Sequence, residues 1–256
     1  MKTFPSLLFL LLFTVSAQAQ TADHEAFTVE GTVSAWFLQP SGNVLSNGNR
    51  VDFHSDLGLP SRHTSPWVRA ILKPSRKNRV VFETIPYRLD GNKQLTKSFT
   101  FSNVTYTVQD RIASTAHVNY FFGGYQRDLF STSRGHGGVL AGVGYFDGEA
   151  SVKSETRGLQ GAESAKVPFP IIGGEFRIFP AAGGHLNING EVKGLPLGSY
   201  GHYAHAVFNL GIGLGPNLTA QVGYSYLNAD VHEKNNGDGF KLGFRGPVIS
   251  IQFRDR

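Results

Sequence analysis

The stretch Leu186 to Leu195, LNINGEVKGL, alternates without a break. Leu186, Ile188, Gly190 and Val192 share one face of an extended strand, and Asn187, Asn189, Glu191 and Lys193 share the other, because successive side chains of a strand point to opposite sides. A water-soluble sandwich would turn the apolar row to its core and the charged row to solvent. A sheet embedded in lipid would do the reverse. Alternation fits both, so the rest of the chain has to decide which face is inside.

The chain opens with MKTFPSLLFLLLFTVSAQAQ. One Lys precedes an apolar run from Leu7 to Val15, and Ala17-Gln18-Ala19 follows, which is the pattern of a secretory signal peptide cleaved after Ala19. The run is shorter than the ~20 residues a spanning helix needs. Residues 1–19 are thus expected to be the signal and 20–256 a single exported domain. That domain has no Cys, so disulfides, the usual staple of exported proteins, do not hold it. Gly (31) and Phe (20) are abundant, and amphipathic helical patterns are few, which points to an all-β protein of many strands. The net charge of +5 is spread along the chain with no dense basic block, so nucleic acid is not an expected partner.

Period-two reading yields ten candidate strands. The first carries Phe27, Val29, Val33, Ala35 and Phe37 on one face; the others run Ser65 to Lys73, Arg79 to Leu89, Arg111 to Leu129, Val139 to Val152, Pro170 to Phe179, Leu186 to Leu195, His202 to Leu214, Leu218 to Val231 and Gly239 to Phe253. Their connections alternate in length. Short turns (PSRKN, PAAGG, GPN) interleave with longer polar segments at Gln39 to Thr64, Asp90 to Asp110, Lys153 to Pro168 and His232 to Asp238. Leu197 to Gly201 is the exception, a short loop among the long ones. A sandwich has no reason to trim one end, whereas a transmembrane barrel has short periplasmic turns and long external loops.

That asymmetry settles the opening question. Ile172, Phe176 and Ile178 oppose Glu175 and Arg177; Ala204, Ala206, Phe208, Leu210 and Ile212 oppose His205 and Asn209; Ala220, Val222, Tyr224 and Tyr226 oppose Thr219, Gln221 and Ser225. A bilayer offers no hydrogen-bond partners, so the apolar rows face lipid and the polar rows face the lumen. The charged face of LNINGEVKGL is the inside.

Parity assigns Glu30, Glu83, Glu175 and Glu191 to the lumen together with Arg69, Arg177, Lys193, Lys241 and Arg245. A barrel of eight to ten strands has little more room than its own side chains occupy, and a buried unpaired ion costs several kcal/mol. These residues are therefore expected to form an ion-pair network that fills the lumen. Trp36 and Phe37, Tyr120 and Phe122, and Tyr224 and Tyr226 are expected to form interfacial girdles. Gly246-Pro247 is expected to interrupt the last strand as a bulge. The glycines of GGVLAGVG and GIGLG are expected to let strands bend around a tight barrel rather than to cradle phosphate.

The terminal segment KLGFRGPVISIQFRDR, with alternating Ile249, Ile251 and Phe253, resembles the C-terminal strand of bacterial outer-membrane barrels, although Arg254-Asp255-Arg256 follow the Phe. With signal, strands and loop asymmetry, the chain resembles the OmpA/OmpX-type group of small outer-membrane barrels. VDFHSDLGLP, Val51 to Pro60, is similar to a D-x-x-x-D-L-G-L element of uncharacterised barrels. The resemblance implies an up-and-down antiparallel barrel, best counted at ten strands, in the outer membrane of a Gram-negative cell. It implies no chemistry.

Asp52, His54 and Asp56 lie close in the first external segment and are candidate contacts for a ligand or partner, with Leu57 and Leu59 packed over the barrel mouth. His202, His205, Asp230 and His232 fall near the external rim. A protease would need a His–Asp pair to polarise water, and a deacylase a Ser with a His base. No residue-by-residue match to either is found. His54/Asp56 and His202/His205 are the close pairs a metal could use, but neither has a third ligand in place. The expectation is a monomeric, non-enzymatic barrel without cofactor or metal, surrounded by outer-membrane lipid and meeting a small molecule or surface partner at its external loops. A narrow pore or hydrophobic-solute conduit is the alternative, and a membrane hydrolase the second.

Overall fold

The computed structural model describes residues 23–46, 49–180, 184–196, 201–232 and 239–255. The expected signal peptide, nearly all of the loop Leu197 to Gly201 and most of His232 to Asp238 lie outside them. The described elements are β1 (Val29–Ser46), β2 (Asn49–Asp52), β3 (His63–Ser75), β4 (Asn78–Gln94), β5 (Phe99–Phe101), β6 (Val104–Tyr106), β7 (Arg111–Thr132), β8 (Gly135–Ser154), β9 (Gln160–Ile178), β10 (Leu186–Pro196), β11 (Gly201–Gly213), β12 (Leu218–His232) and β13 (Gly239–Arg254). β1, β3, β4 and β7 to β13 pair in sequence, each antiparallel to the next, and β13 returns to β1, closing a ten-stranded barrel. β2 is a short addition to β1, and β5–β6 is a separate hairpin. No helix among the described residues is long and apolar enough to cross a membrane.

All ten expected strands are present, but those on the external side run further than the alternation suggested. β1 continues to Ser46, and most of Lys153 to Pro168 is strand rather than loop. The wall is uneven as a result. β9 pairs with β8 from Gln160 to Ile178, yet with β10 only from Ile172 to Ile178.

The outer face carries an apolar band in which Val33, Ile172, Val192, Ile212, Val222 and Ile249 are exposed. Their strand neighbours Ser34, Glu191, Asn209, Gln221 and Ser250 are buried, so the sheet is polar inside and apolar outside. Phe121, Tyr125, Tyr224 and Tyr226 are exposed on this outer wall. Trp36, Tyr120 and Phe122 were expected beside them in girdles, but they are buried in the lumen. Only Phe37 of the first pair points out.

The expected bulge at Gly246-Pro247 is absent. The register of β13 does not shift there: β12 pairs straight through, from Ser225↔Gly246 to Tyr224↔Pro247, and the β1 ladder, which lacks pairs at Phe37 and Leu38, keeps one register from Gln39↔Arg245 to Trp36↔Val248. Without a parity change, Lys241 and Arg245 stay in the outward row of Ile249, Ile251 and Phe253. They are exposed on the outer wall, not in the lumen.

Candidate functional site: the filled lumen and its external mouth

Alternation on every strand sends a side chain inward at each second residue, and the lumen is filled in three layers. The layer nearest the turns is ionic. Arg177 grips Glu30 with both terminal nitrogens (2.8 and 2.9 Å), and Arg254 Nε reaches the same carboxylate at 2.6 Å. Arg69 bridges Glu175 and Glu191, both at 2.7 Å, while Lys193 joins Glu83 at 2.8 Å and Glu191 at 3.0 Å. Below them the segment before β1 folds into the opening. Glu25 there meets Arg79 at 2.9 Å, and Arg79 meets Asp128 at 2.8 Å, with His136 3.2 Å from Glu25. The seven expected lumen residues other than Lys241 and Arg245 thus converge on one network.

The additional members, Glu25, Lys73, Arg79, Asp128, His136 and Arg254, are all buried. Parity could have found Lys73, two places from Ile71, and Arg254, in step with Ser250 and Gln252. Glu25 precedes the strand and carries no such signal. A polar cavity of about 40 Å³ sits within this layer, lined by Ser34, Arg69, Asn209, Gln221 and Ser250 among others, with space for a few waters.

The middle layer is aromatic. Tyr87 stacks on Phe244 at 4.2 Å between centroids, and Trp36 contacts Trp67, Tyr87, His205 and Phe244. Phe146 stacks on Phe169, which tilts against Tyr203, whose hydroxyl donates to that of Tyr120 at 3.1 Å. Lys193 ties this layer to the ionic one, its ammonium lying 4.7 Å from the Phe122 ring centre. That ring occupies space a side chain would fill: a Cβ on Gly124 would lie 2.4 Å from it and one on Gly142 2.8 Å. His205, expected near the rim, is buried here, with Nε2 3.0 Å from Ser225 Oγ.

The external layer is apolar and built by loops. Leu57 and Leu59 are buried with Val51, Phe53, Leu89, Leu95, Phe99, Phe101, Tyr106 and Ile112, as the sequence suggested for the two leucines. Asp52 Oδ1 accepts the N–H groups of His54 and Ser55 (3.0 and 2.8 Å). Burial pushes the Asp52 carboxyl up, but these bonds outweigh it and hold it below the usual carboxylate range. His54 lies between two carbonyls, Nδ1 at 2.8 Å from Leu59 O and Nε2 at 2.7 Å from Pro40 O. Asp56 accepts the N–H of Asp52 at 2.8 Å and pairs with Lys97. Arg157, between β8 and β9, donates from Nε to both oxygens of Asp110 on the second loop at 3.0 Å, and this side-chain bond holds that carboxyl below its ordinary range. Asp52, His54 and Asp56 are engaged in shaping their own loop, and among the described residues no cluster of three or more His, Cys, Asp or Glu could hold a metal. His202 and Asp230 are cross-strand neighbours on the outer wall, where His202 Nε2 meets Asn228 at 2.8 Å and Asp230 pairs with Lys241 at 3.3 Å.

Among solved structures the chain is similar to the outer membrane protease OmpT from Escherichia coli, with a TM-score of 0.57 over 89% of this chain and 97% of that one, at 11% identity. The fold is that of an outer-membrane β-barrel. Weaker likenesses, with TM-scores of 0.37 and 0.36, link it to the toluene transporter TodX of P. putida (7% identity, 90% of each chain) and the attachment invasion locus protein Ail of Yersinia pestis (11% identity, 87% of this chain and 99% of that one). No family model matches the sequence, and no curated protein does. At these identities the likeness of this outer-membrane barrel to the others is one of fold.

Proposed function

We propose that the chain is an exported, non-enzymatic and non-conducting barrel of the outer membrane, released from a signal peptide after Ala19, whose structured external loops meet a ligand or partner. One observation carries the reading: the lumen holds three stacked layers, an ionic one crossed by Arg69 and Arg177, an aromatic one around Trp36, and an apolar lid containing Leu57 and Leu59. A hydrated path along the axis would have to break all three. A filled interior leaves the projecting loops and strand ends as the surface for function, as loops on a rigid scaffold commonly are. Reconstitution in a planar bilayer tests the reading. No steady conductance is expected from the wild type, and a stable open level would overturn it.

A further inference from the structure

Among the described residues, the tallest part of the wall ends in an unpaired sheet edge. β9 loses its neighbour β10 above the pair Ile172↔Gly194, while it stays paired to β8 up to Lys153↔Gln160. Pro168 and Pro170 identify which backbone groups face the gap. They lie opposite Tyr145 and Val143 of β8 but have no N–H to give, so the even-numbered residues of β9 form its non-hydrogen-bonded pairs with β8. The bond from Phe179 N–H to Arg134 O at 2.8 Å agrees, since it puts an odd-numbered residue on the β8 side. Ala162, Ser164 and Lys166 therefore aim their N–H and C=O groups away from β8, beyond the described part of β10. Ser102 Oγ donates to Ala162 O at 3.0 Å. No backbone partner engages Ser164 or Lys166 among the described residues. Residues 162–166 are exposed on both faces, and neither Glu163 nor Lys166 is in an ion pair among the described residues.

We infer that the edge from Ala162 to Lys166 is a docking site for an extended segment of another polypeptide, added to β9 as an antiparallel strand through backbone hydrogen bonds. Pro168 and Pro170 set its lower limit, because they offer carbonyls but no donors where the wall enters the lipid band. The side chains define the guest. It presents an acidic residue on the outer row, opposite Lys166, and a basic residue with small or apolar neighbours on the inner row, beside Glu163, Ala165 and Val167. A second copy in the same membrane does not fit. Strands of such barrels tilt about 35–45°, and rotation about the membrane normal would cross two β9 edges at about twice that angle. The inference deepens the proposed function by naming the kind of partner, and it rests on that reading for the outward orientation of this end.

Position 164 permits a clean test, because Ser164→Pro removes an edge-facing donor without touching the ladder to β8, as Pro168 and Pro170 already show. The probe is a short synthetic peptide of alternating Thr and Val, with one Glu on the Thr row and one Lys on the Val row, added to the protein in lipid nanodiscs. Exchange of the Ser164 and Lys166 amides is expected to slow when the peptide is present. Ser164→Pro should weaken binding about tenfold, the loss of one backbone hydrogen bond, with its heat-dependent gel mobility unchanged. Lys166→Ala, which keeps the donor, should weaken it less. Unslowed amides in the wild type, or equal affinity for wild type and Ser164→Pro, would overturn the inference. A conducting barrel that still bound the peptide would break the proposed function alone.

Discussion

The two halves of the lumen are filled by different physics. Near the turns, Arg69, Arg177, Lys193 and Arg254 meet Glu30, Glu83, Glu175 and Glu191 across the barrel, and the layer holds because each charge has a partner at hydrogen-bonding distance. Toward the mouth, Trp36, Tyr87, Phe244, Leu57 and Leu59 pack as the core of a soluble protein would. The ionic half depends on completeness, since losing one member strands its partners. The apolar half degrades by degrees, since losing a side chain removes contacts without leaving a charge behind.

The largest effect should come from breaking the ionic half at Glu191, which serves both Arg69 and Lys193. Glu191→Leu is expected to destabilise the barrel by about 3–5 kcal/mol, the usual result of removing one partner of a buried pair, as measured by urea unfolding in detergent. Unaltered unfolding would mean that water already screens those cations and that the two halves are less distinct than described.

A smaller and local effect is expected at the mouth in acid. The folded protein holds the Asp110 carboxyl below its unfolded value through Arg157. The resulting stabilisation is complete above the ordinary Asp range of about 4 and is lost as the pH falls through the folded value. Hydrogen exchange of Thr107 and its neighbours should therefore quicken in strong acid while the barrel strands stay protected. Asp110→Asn should remove that dependence, and a variant that retained it would place the tie elsewhere.

The smallest effect is expected on the outer wall. Arg245→Ala should change stability by no more than about 0.5 kcal/mol, as exposed substitutions usually do. A loss comparable to that of Glu191→Leu would contradict its outward position.

The sequence made the barrel legible wherever lipid touches it. β9 to β12 read correctly because lipid on one side and packed polar groups on the other force strict alternation, as in Ile172/Gly173/Gly174/Glu175/Phe176/Arg177. Where both faces are wet the rule relaxes, so Glu163-Ser164-Ala165-Lys166 reads as loop although it is strand. Lys241 and Arg245 were misplaced by parity: they lie in step with Ile249, Ile251 and Phe253, which point outward, and the register carries that alternation past Gly246-Pro247 without a shift. Trp36 and Tyr120 were misplaced by residue type, since amphipathic rings suit an interface and a crowded lumen equally. Glu25 was unreadable because its role comes from a turn of the chain that no local pattern encodes.

The seam between β1 and β13 has a consequence for the order of assembly. Glu30 lies opposite Arg254, and Asp255 Oδ1 accepts the N–H groups of Thr28 and Val29 at 2.8 and 2.6 Å, so the ring is fastened by residues at and just past the end of β13, its last strand. Until they arrive, both outermost strands expose unpaired backbone, which is untenable in hydrocarbon and an invitation to aggregate in water. Pairing across so long a span of chain is also slow. All ten strands of the barrel must therefore be kept from premature association and delivered together to the membrane, where closure and insertion become one event.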